Sequence, residues 1–250
     1  MSDALGGITD DRLLGGRVPL AQPARGHRAG TDAVLLAASA PAKAGDRVLD
    51  VGASTGAVGL MVAARQKAVR LAFVERDPDL AALCRRNCRQ NGLEAEIFVT
   101  DVLDKAARRS VGLLPESADL VLSNPPFLEE GQARISPDAG RAAAHALPAG
   151  GLQAWLKACL SLLRPKGRLV LIHRADRLAE CLEGLSGPLG DLSLRFVHPS
   201  ADRPAIRVLL SGVKGSRASS KILPPVILNG PDGRFTPQAQ ALHLGEADLL

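Results

Sequence analysis

Seven short apolar runs, alternating with amphipathic stretches of helical period, constrain the fold of this chain more than any other feature. The runs predict strands at Arg47–Val51, Arg70–Glu75, Ala95–Val99, Ala118–Ser123, Arg168–His173, Leu192–His198 and Ile206–Gly212. Helices are expected at Ala57–Arg65, Pro78–Asn91, Val102–Arg109 and Leu152–Leu163, and at Ala175–Leu185 after the fifth strand. Such alternation implies βαβ units, hence an α/β fold with a mostly parallel sheet and helices on both faces. The helix at Pro78 carries its own punctuation, proline in the first turn and Asn91-Gly92 at the stop. Only the Pro-, Asp- and Ser-rich stretch Pro199–Ala205 separates the last two strands, so they should close the sheet as an antiparallel hairpin. The expected architecture is a Rossmann-like, seven-stranded sheet with a C-terminal hairpin; a dinucleotide-binding oxidoreductase would continue with another βαβ unit.

Two flanks complete the expected organisation. Residues 1–44 form an N-terminal extension with a helix over Gly30–Ser39, where Thr31 or Asp32 is placed to cap it. Residues 45–213 form the main domain, and residues 214–250, rich in Pro, Gly and Ser, read equally as an ordered arm over the active face or as a loose tail.

Charge and composition narrow the partners. A net charge of +5 favours an anionic partner, nucleic acid being the commonest. With aromatics at 2% of the chain, no Tyr and one Trp, base stacking must rest on one or two Phe residues. Four cysteines, Cys84, Cys88, Cys159 and Cys181, are too few and scattered for a disulfide framework. Cys84 and Cys88, one helical turn apart, read as buried thiols before a metal or redox pair, and no metal is expected. The segment MSDALGGITDDRLLGG is unlike a signal peptide and no apolar run reaches membrane-spanning length, so the expectation is a reducing cytoplasm with no membrane partner. His27 and His145 lack an evident acid or nucleophile partner and read as structural or surface residues.

The first strand-to-helix turn reads VLDVGASTGAVGL: Asp50 ends the strand, and Gly52 and Gly56 frame the turn. Glycine is needed there either for close ligand approach or for positive φ. A helix N-terminus then offers amides that hold a pyrophosphate in dinucleotide enzymes. The carboxylate of S-adenosylmethionine can take the same place, with Asp50 suited to its amino group. Glu75 ends the second strand as an acid positioned for ribose hydroxyls, a role shared with NAD sites. Asp77 reads as the cap of the next helix. Asp101 serves equally as an N-cap or as an acceptor for the adenine amino group of the cofactor.

The fourth strand runs straight into Asn124-Pro125-Pro126-Phe127. Two prolines can neither extend the ladder nor begin an ordinary helical turn, so they stiffen a loop at the carboxyl edge, where open α/β sheets bind ligands. A planar amino group is a poor nucleophile because its lone pair is delocalised. The Asn124 side-chain oxygen and the Pro125 carbonyl can each accept one N–H, favouring a pyramidal nitrogen and in-line attack on a sulfonium methyl. Phe127 would stack on the ring, worth about 1–3 kcal/mol. Catalysis then consists of positioning and charge stabilisation, without a strong general base.

These motifs resemble the small-domain amino-group methyltransferases that carry an Asn-Pro-Pro-aromatic signature. Within that group the chain is most similar to the bacterial tRNA adenine-N6-methyltransferases acting beside the anticodon of valine tRNA. The likeness spans QPARGHRAGTDAVLLAASAP, VLDVGASTGAVGL, FVERDP, SNPPF and GLQAWLKACLSLLRPKGRLVLIHR. The resemblance implies that Asp50, Gly52, Gly56, Glu75 and Asp101 bind S-adenosylmethionine. It also implies that Asn124 to Phe127 hold the target amine and that Gly30, Thr31 and Asp32 help close the cofactor pocket. Ser54 stands where the family turn often has a third glycine; if that position requires positive φ, serine costs on the order of 1–2 kcal/mol there.

The loop fixes a reaction class before a substrate. The same motif serves methyltransferases of release-factor glutamine and of ribosomal RNA guanine, and a non-catalytic S-adenosylmethionine- or RNA-binding protein would keep the fold. Phe127 leans toward a nucleobase. So do the basic residues Arg12, Arg17, Arg25, Arg28, Lys214, Arg217 and Lys221 in the flanks and Arg134 and Arg141 beyond the loop, although each arginine alone reads first as surface charge. The expected partner is tRNA; the oligomeric state is not encoded in any motif.

Overall fold

The computed structural model describes residues 7–26, 28–126 and 151–250. Phe127, Arg134, Arg141, His27 and His145 therefore lie outside the described residues. The elements are β1 (Ile8–Leu13), β2 (Val18–Pro23), α1 (Thr31–Ala38), β3 (Arg47–Val51), α2 (Ala57–Arg65), β4 (Arg70–Glu75), α3 (Pro78–Gln90), β5 (Ala95–Val99) and α4 (Lys105–Ser110). They continue with β6 (Ala118–Ser123), α5 (Gly151–Leu162), β7 (Leu163–Arg174), a 3-10 turn (Ala175–Arg177), α6 (Leu178–Leu185), β8 (Leu189–His198), β9 (Arg207–Lys214), β10 (Lys221–Ile222), β11 (Val226–Ile227) and α7 (Pro237–Leu244).

The main sheet runs β10-β8-β9-β7-β6-β3-β4-β5, with β11 also pairing with β8. Strands β3 to β7 are parallel to one another, and β9 lies antiparallel between β7 and β8, as the short Pro199–Ala205 connection requires. Because the strands are covered on both faces they read as continuous apolar runs. Successive residues nevertheless feed opposite cores: Val48, Phe73, Leu120 and Val170 pack toward α1, α2 and α3. Leu49, Val74, Val121 and Leu171 pack toward α5 and α6. All four cysteines are free thiols and buried, as expected of Cys84 and Cys88.

Several boundaries differ from expectation. Among the described residues the sheet has nine strands rather than seven, because β10 and β11 add to the β8 edge. A separate antiparallel hairpin, β1–β2, precedes the sheet. Neither Thr31 nor Asp32 caps α1; the N-cap is Gly30 and no side chain bonds there. Helix α4 starts at Lys105, capped by Asp104, whose Oδ1 accepts from Ala106 N and Ala107 N. Asp101 instead accepts from Leu103 N at 2.8 Å in a local turn, so it is not the N-cap. Asp77 does cap α3, accepting from Asp79 N and Leu80 N, a contribution of about 1 kcal/mol.

The two flanks meet on the α1–α2 side. Arg65, with a side chain 10% exposed, donates to the Ala247 and Leu242 carbonyls at 2.7 and 3.0 Å and pairs with Asp248 at 2.6 Å. Arg17 donates to the Leu244 and Gly245 carbonyls, and Leu249 N bonds the Ala38 carbonyl. Residues 242–249 thus pack back against Arg17, α1 and α2. Among the described residues no helix is long and apolar enough to cross a membrane.

Candidate active site

The order of the sheet gathers the expected residues at one edge. Parallel strand β3 lies between β4 and β6, with Val51 level with Val74 on one side and Ser123 on the other. The turn after Asp50, the end of β4 at Glu75 and the start of the Asn124 loop are therefore neighbours, although some seventy residues separate the first from the last.

The turn owes its shape to three residues in the left-handed region: Gly52 at φ +76, Ser54 at φ +51 and Gly56 at φ +85. Packing as well as φ excludes larger residues at the two glycines. A Cβ on Gly52 would sit 3.0 Å from the Trp155 ring, and one on Gly56 would sit 2.7 Å from Cys84 Sγ. Ser54 accepts the positive φ that the missing glycine implied, and its amide donates to Glu75 Oε2 at 2.8 Å, a charge-assisted bond that offsets part of the strain. The amides of Gly52 and Ala53 donate to the Val74 carbonyl. An anion held by this turn is consequently left to the amides that follow, at Thr55, Ala57 and Val58.

Asp50 is 2% exposed and accepts from Gly59 N at 3.1 Å. Burial pushes its carboxyl up to about 7; the Gly59 bond opposes that, and the neighbouring Glu75 carboxylate adds to it. A buried acid with one hydrogen bond among the described residues is primed for a cationic partner. Glu75 is 7% exposed and already engaged at both oxygens, by Ser54 N and by Asp77 N at 2.9 Å. Each oxygen keeps a second lone pair, so a ribose can still be accepted.

Two clefts meet at Asn124. The first is lined by Asp50, the turn from Gly52 to Thr55, and Ala57 and Val58. The second, of about 210 Å³, is lined by the segment from Arg28 to Ala33. Asn124, Ala29 and Ala33 belong to both. The Asn124 Oδ1 atom is buried and has no hydrogen-bond partner among the described residues. An orphaned buried acceptor costs about 1–3 kcal/mol and persists where a ligand is to supply the donor. Pro125 is buried and Pro126 partly so. Of the remaining expected residues, Gly30, Thr31 and Asp32 line the second cleft, whereas Gly56, Glu75 and Asp101 line neither.

Three supports of this edge were not read from the sequence. Trp155 on α5 donates from Nε1 to Ser123 Oγ at 2.9 Å, and Ser123 Oγ donates to the Val51 carbonyl at 2.9 Å. The residue before Asn124 is thus locked to the strand before Gly52, with the Trp155 ring beneath the glycine. Asn87 on α3, fully buried, accepts from Ala21 N at 2.7 Å and donates to the carbonyls of Ala21 and Thr55 at 2.9 Å. It ties the β1–β2 hairpin to the turn. Finally Arg28 donates to Asp11 at 2.7 Å, to Thr9 Oγ1 at 2.8 Å and to the Pro23 carbonyl at 2.6 Å. Gln22 bridges Asp11 to Ala29 N, so the hairpin fixes the wall of the second cleft. No short motif announces these contacts; Asn87 alone gave a signal, as a polar residue on the apolar face of a helix.

Comparison with known proteins gives a consistent set of matches. Residues 28–180 match the family model described as methyltransferase small domain. A protein of Aeromonas hydrophila named tRNA1(Val) (adenine(37)-N6)-methyltransferase is 35% identical over 215 residues, covering 84% of this chain and 85% of that protein. A protein of the same name from Porphyromonas gingivalis is 34% identical over 159 residues, 61% of each chain, so the match spans about three fifths of that relative's length. Among solved structures, a predicted O-methyltransferase of Agrobacterium tumefaciens superposes with TM-score 0.72 at 28% identity, covering 87% of this chain and 97% of that one. The T. thermophilus 16S rRNA N2 G1207 methyltransferase, in complex with AdoMet and guanosine, shares the fold at TM-score 0.55 and 21% identity, over 83% of this chain and 50% of that one.

Proposed function

The chain belongs to the methyltransferase small-domain family of S-adenosylmethionine-dependent enzymes, and from that membership we propose that it methylates the exocyclic amino nitrogen of an adenine in tRNA. The observation that carries the reading is the orphaned Asn124 Oδ1, buried where two clefts meet. One cleft has the residues suited to the cofactor and the other has room for the acceptor.

The residues present fit S-adenosylmethionine. Asp50 would hold its amino group by charge, the amides at Thr55, Ala57 and Val58 its carboxylate, and Glu75 and Asp101 its adenosine. When bound, it supplies a methyl on a sulfonium, already electrophilic. The chain's own task is then to present nitrogen. Asn124 Oδ1 and the Pro125 carbonyl would accept the two N–H groups of the target amine, which localises its lone pair toward the methyl. After transfer the target nitrogen would lose one proton to solvent. The Trp155–Ser123–Val51 chain holds Asn124 at the height this requires, a preorganisation of the kind that dominates such catalysis. The core from 45 to 213 carries both clefts but for the Arg28–Ala33 wall, which residues 1–44 contribute, while 214–250 brace that wall from outside.

The relatives' names support this substrate class: they are called tRNA1(Val) (adenine(37)-N6)-methyltransferases. Labelled S-adenosylmethionine offered with unmodified tRNA, ribosomal RNA or a release factor, followed by digestion, tests the assignment. N6-methyladenosine from tRNA is the expected product. Methylguanosine from ribosomal RNA or methylglutamine from the release factor replaces the acceptor, and no label in any of them refutes transferase activity on these classes.

A further inference from the structure

In a chain with five Phe, one Trp and no Tyr, the position of each aromatic ring matters. Phe73 and Phe98 are in the cores, Trp155 is buried beneath Gly52, and Phe196 is half-buried. Phe235 differs: it is 45% exposed, in the C-terminal arm. Its neighbour Arg234 has a side chain 89% exposed, with Asp232 at 4.0 Å. Folding does not ask for a large apolar ring and an extended cation side by side at such a place.

The segment that presents them is rigid. Gly230 and Arg234 close a tight loop through Gly230 N to Arg234 O at 2.8 Å, and Asn229 bridges to Phe235. The base of the loop is pinned by Thr236 N to Leu228 O at 2.9 Å, and by Asn229 N and Nδ2, both bonded to the Pro199 carbonyl. A pinned loop presents a ring at little conformational cost on binding.

Topology places this loop at the catalytic edge. Strand β11 runs parallel to β8, Ile227 beside His198, and β8 runs in the same sense as β6 and β7 because β9 is antiparallel to both β7 and β8. The chain therefore leaves β11 at the same edge of the sheet at which Asn124 leaves β6. Side chains close the gap. Phe235 lies against the His243 ring, centroids 4.5 Å apart, and His243 Nε2 is 3.3 Å from Thr31 Oγ1, which lines the second cleft. Burial holds the His243 ring below its ordinary pKa, so it packs as a neutral support.

We infer that Arg234 and Phe235 form a nucleobase platform beside the acceptor cleft, Phe235 stacking on a base that flanks the target and Arg234 pairing with an adjoining phosphate. The assignment rests on the RNA reading of the site. Stacking on an exposed ring tolerates any base, and a cation next to the ring serves the backbone. The platform would thus hold a strand in register without reading its sequence.

The test is equilibrium binding of a fluorescently labelled RNA stem-loop with an adenine in its loop, to the full chain and to Phe235→Ala, Phe235→Trp and Arg234→Ala. Phe235→Ala should raise the Kd about tenfold and Phe235→Trp should restore it to within about twofold. S-adenosylmethionine affinity should stay unchanged in all three, and Phe235→Trp and Arg234→Ala should melt as the unaltered protein does. Arg234→Ala should weaken binding and flatten its dependence on salt. An unchanged Kd for Phe235→Ala overturns the platform. If the unaltered protein binds the stem-loop without methylating it, the proposed function fails while the Phe235 comparison still decides the platform. If it binds no RNA, both fall.

Discussion

Asp50 gives the most quantitative handle on the site. Its carboxyl is lifted from 3.8 to about 7, first by burial and then by Glu75. Because the folded-state value is raised, the folded protein holds the proton more tightly than the unfolded chain. The ligand-free protein should therefore lose stability as pH rises from about 4 to about 7, and no further above that. At about 1.4 kcal/mol per unit the full penalty is about 4 kcal/mol, of which about 2–3 kcal/mol accrues between pH ~5 and pH ~8. Asp50→Asn, isosteric and neutral, should remove that portion. Urea unfolding of ligand-free wild type and Asp50→Asn at the two pH values gives the double difference, in which other titrating groups cancel. The variant should gain about 2–3 kcal/mol relative to wild type on going to the higher pH. A difference independent of pH refutes the assignment of a buried, protonatable acid. The same proton predicts that calorimetric affinity for S-adenosylmethionine rises with pH up to about 7, by as much as about tenfold per unit, and that Asp50→Asn abolishes the slope.

Other supports of the edge give separate predictions. Asn87→Ala leaves Ala21 N, Ala21 O and Thr55 O without their partner, and should cost about 3–5 kcal/mol in denaturant unfolding, since each orphaned group costs about 1–3 kcal/mol. Trp155→Phe keeps a ring under Gly52 but removes the bond to Ser123. Stability should fall by about 1 kcal/mol while kcat falls more than cofactor affinity does, as fluorescence-independent calorimetry and steady-state kinetics will show. Arg65→Met should release the C-terminal arm, read as faster proteolytic cleavage after residue 214, because two carbonyls and Asp248 lose their donor. A cleavage rate equal to that of wild type contradicts the clamp.

Much of this architecture was legible because it is periodic. The strands from β3 to β9 and the helices between them follow from apolar runs and Pro or Asn-Gly punctuation, and the Pro199–Ala205 connection gave the antiparallel turn. The hairpin β1–β2 was not legible: ITDDRL places two acids in an edge strand whose partner faces the body of the protein, so neither the run nor the alternation stands out. The start of α4 was misplaced because Asp101 and Asp104 both bond amides two residues on, and only the second opens a helix. Strand β7 begins at Leu163, before the expected Arg168, because the chain passes from helix to strand without a break and the register then shifts opposite Ala118 and Leu120. In the candidate site, the placing of Asp50, Gly52 and Asn124 at one sheet edge was legible, since each stands at or beside a strand end, where motif and position coincide. Asn87, Trp155, Gln22 and Arg28 act on residues near only in space, and their type carries no trace of the partner. Phe235 belongs with them: a ring in a Gly- and Pro-rich segment looks unremarkable until its exposure and its place at the catalytic edge are known.

Asn124 Oδ1, without a hydrogen-bond partner among the described residues, is free to accept a hydrogen from the target amine. Asn124→Ala, measured for both cofactor binding by calorimetry and single-turnover methyl transfer to unmodified tRNA, tests it most directly. The account predicts a loss of transfer on the order of a hundredfold or more with S-adenosylmethionine affinity changed by no more than about twofold. Transfer at the wild-type rate in that variant would contradict it.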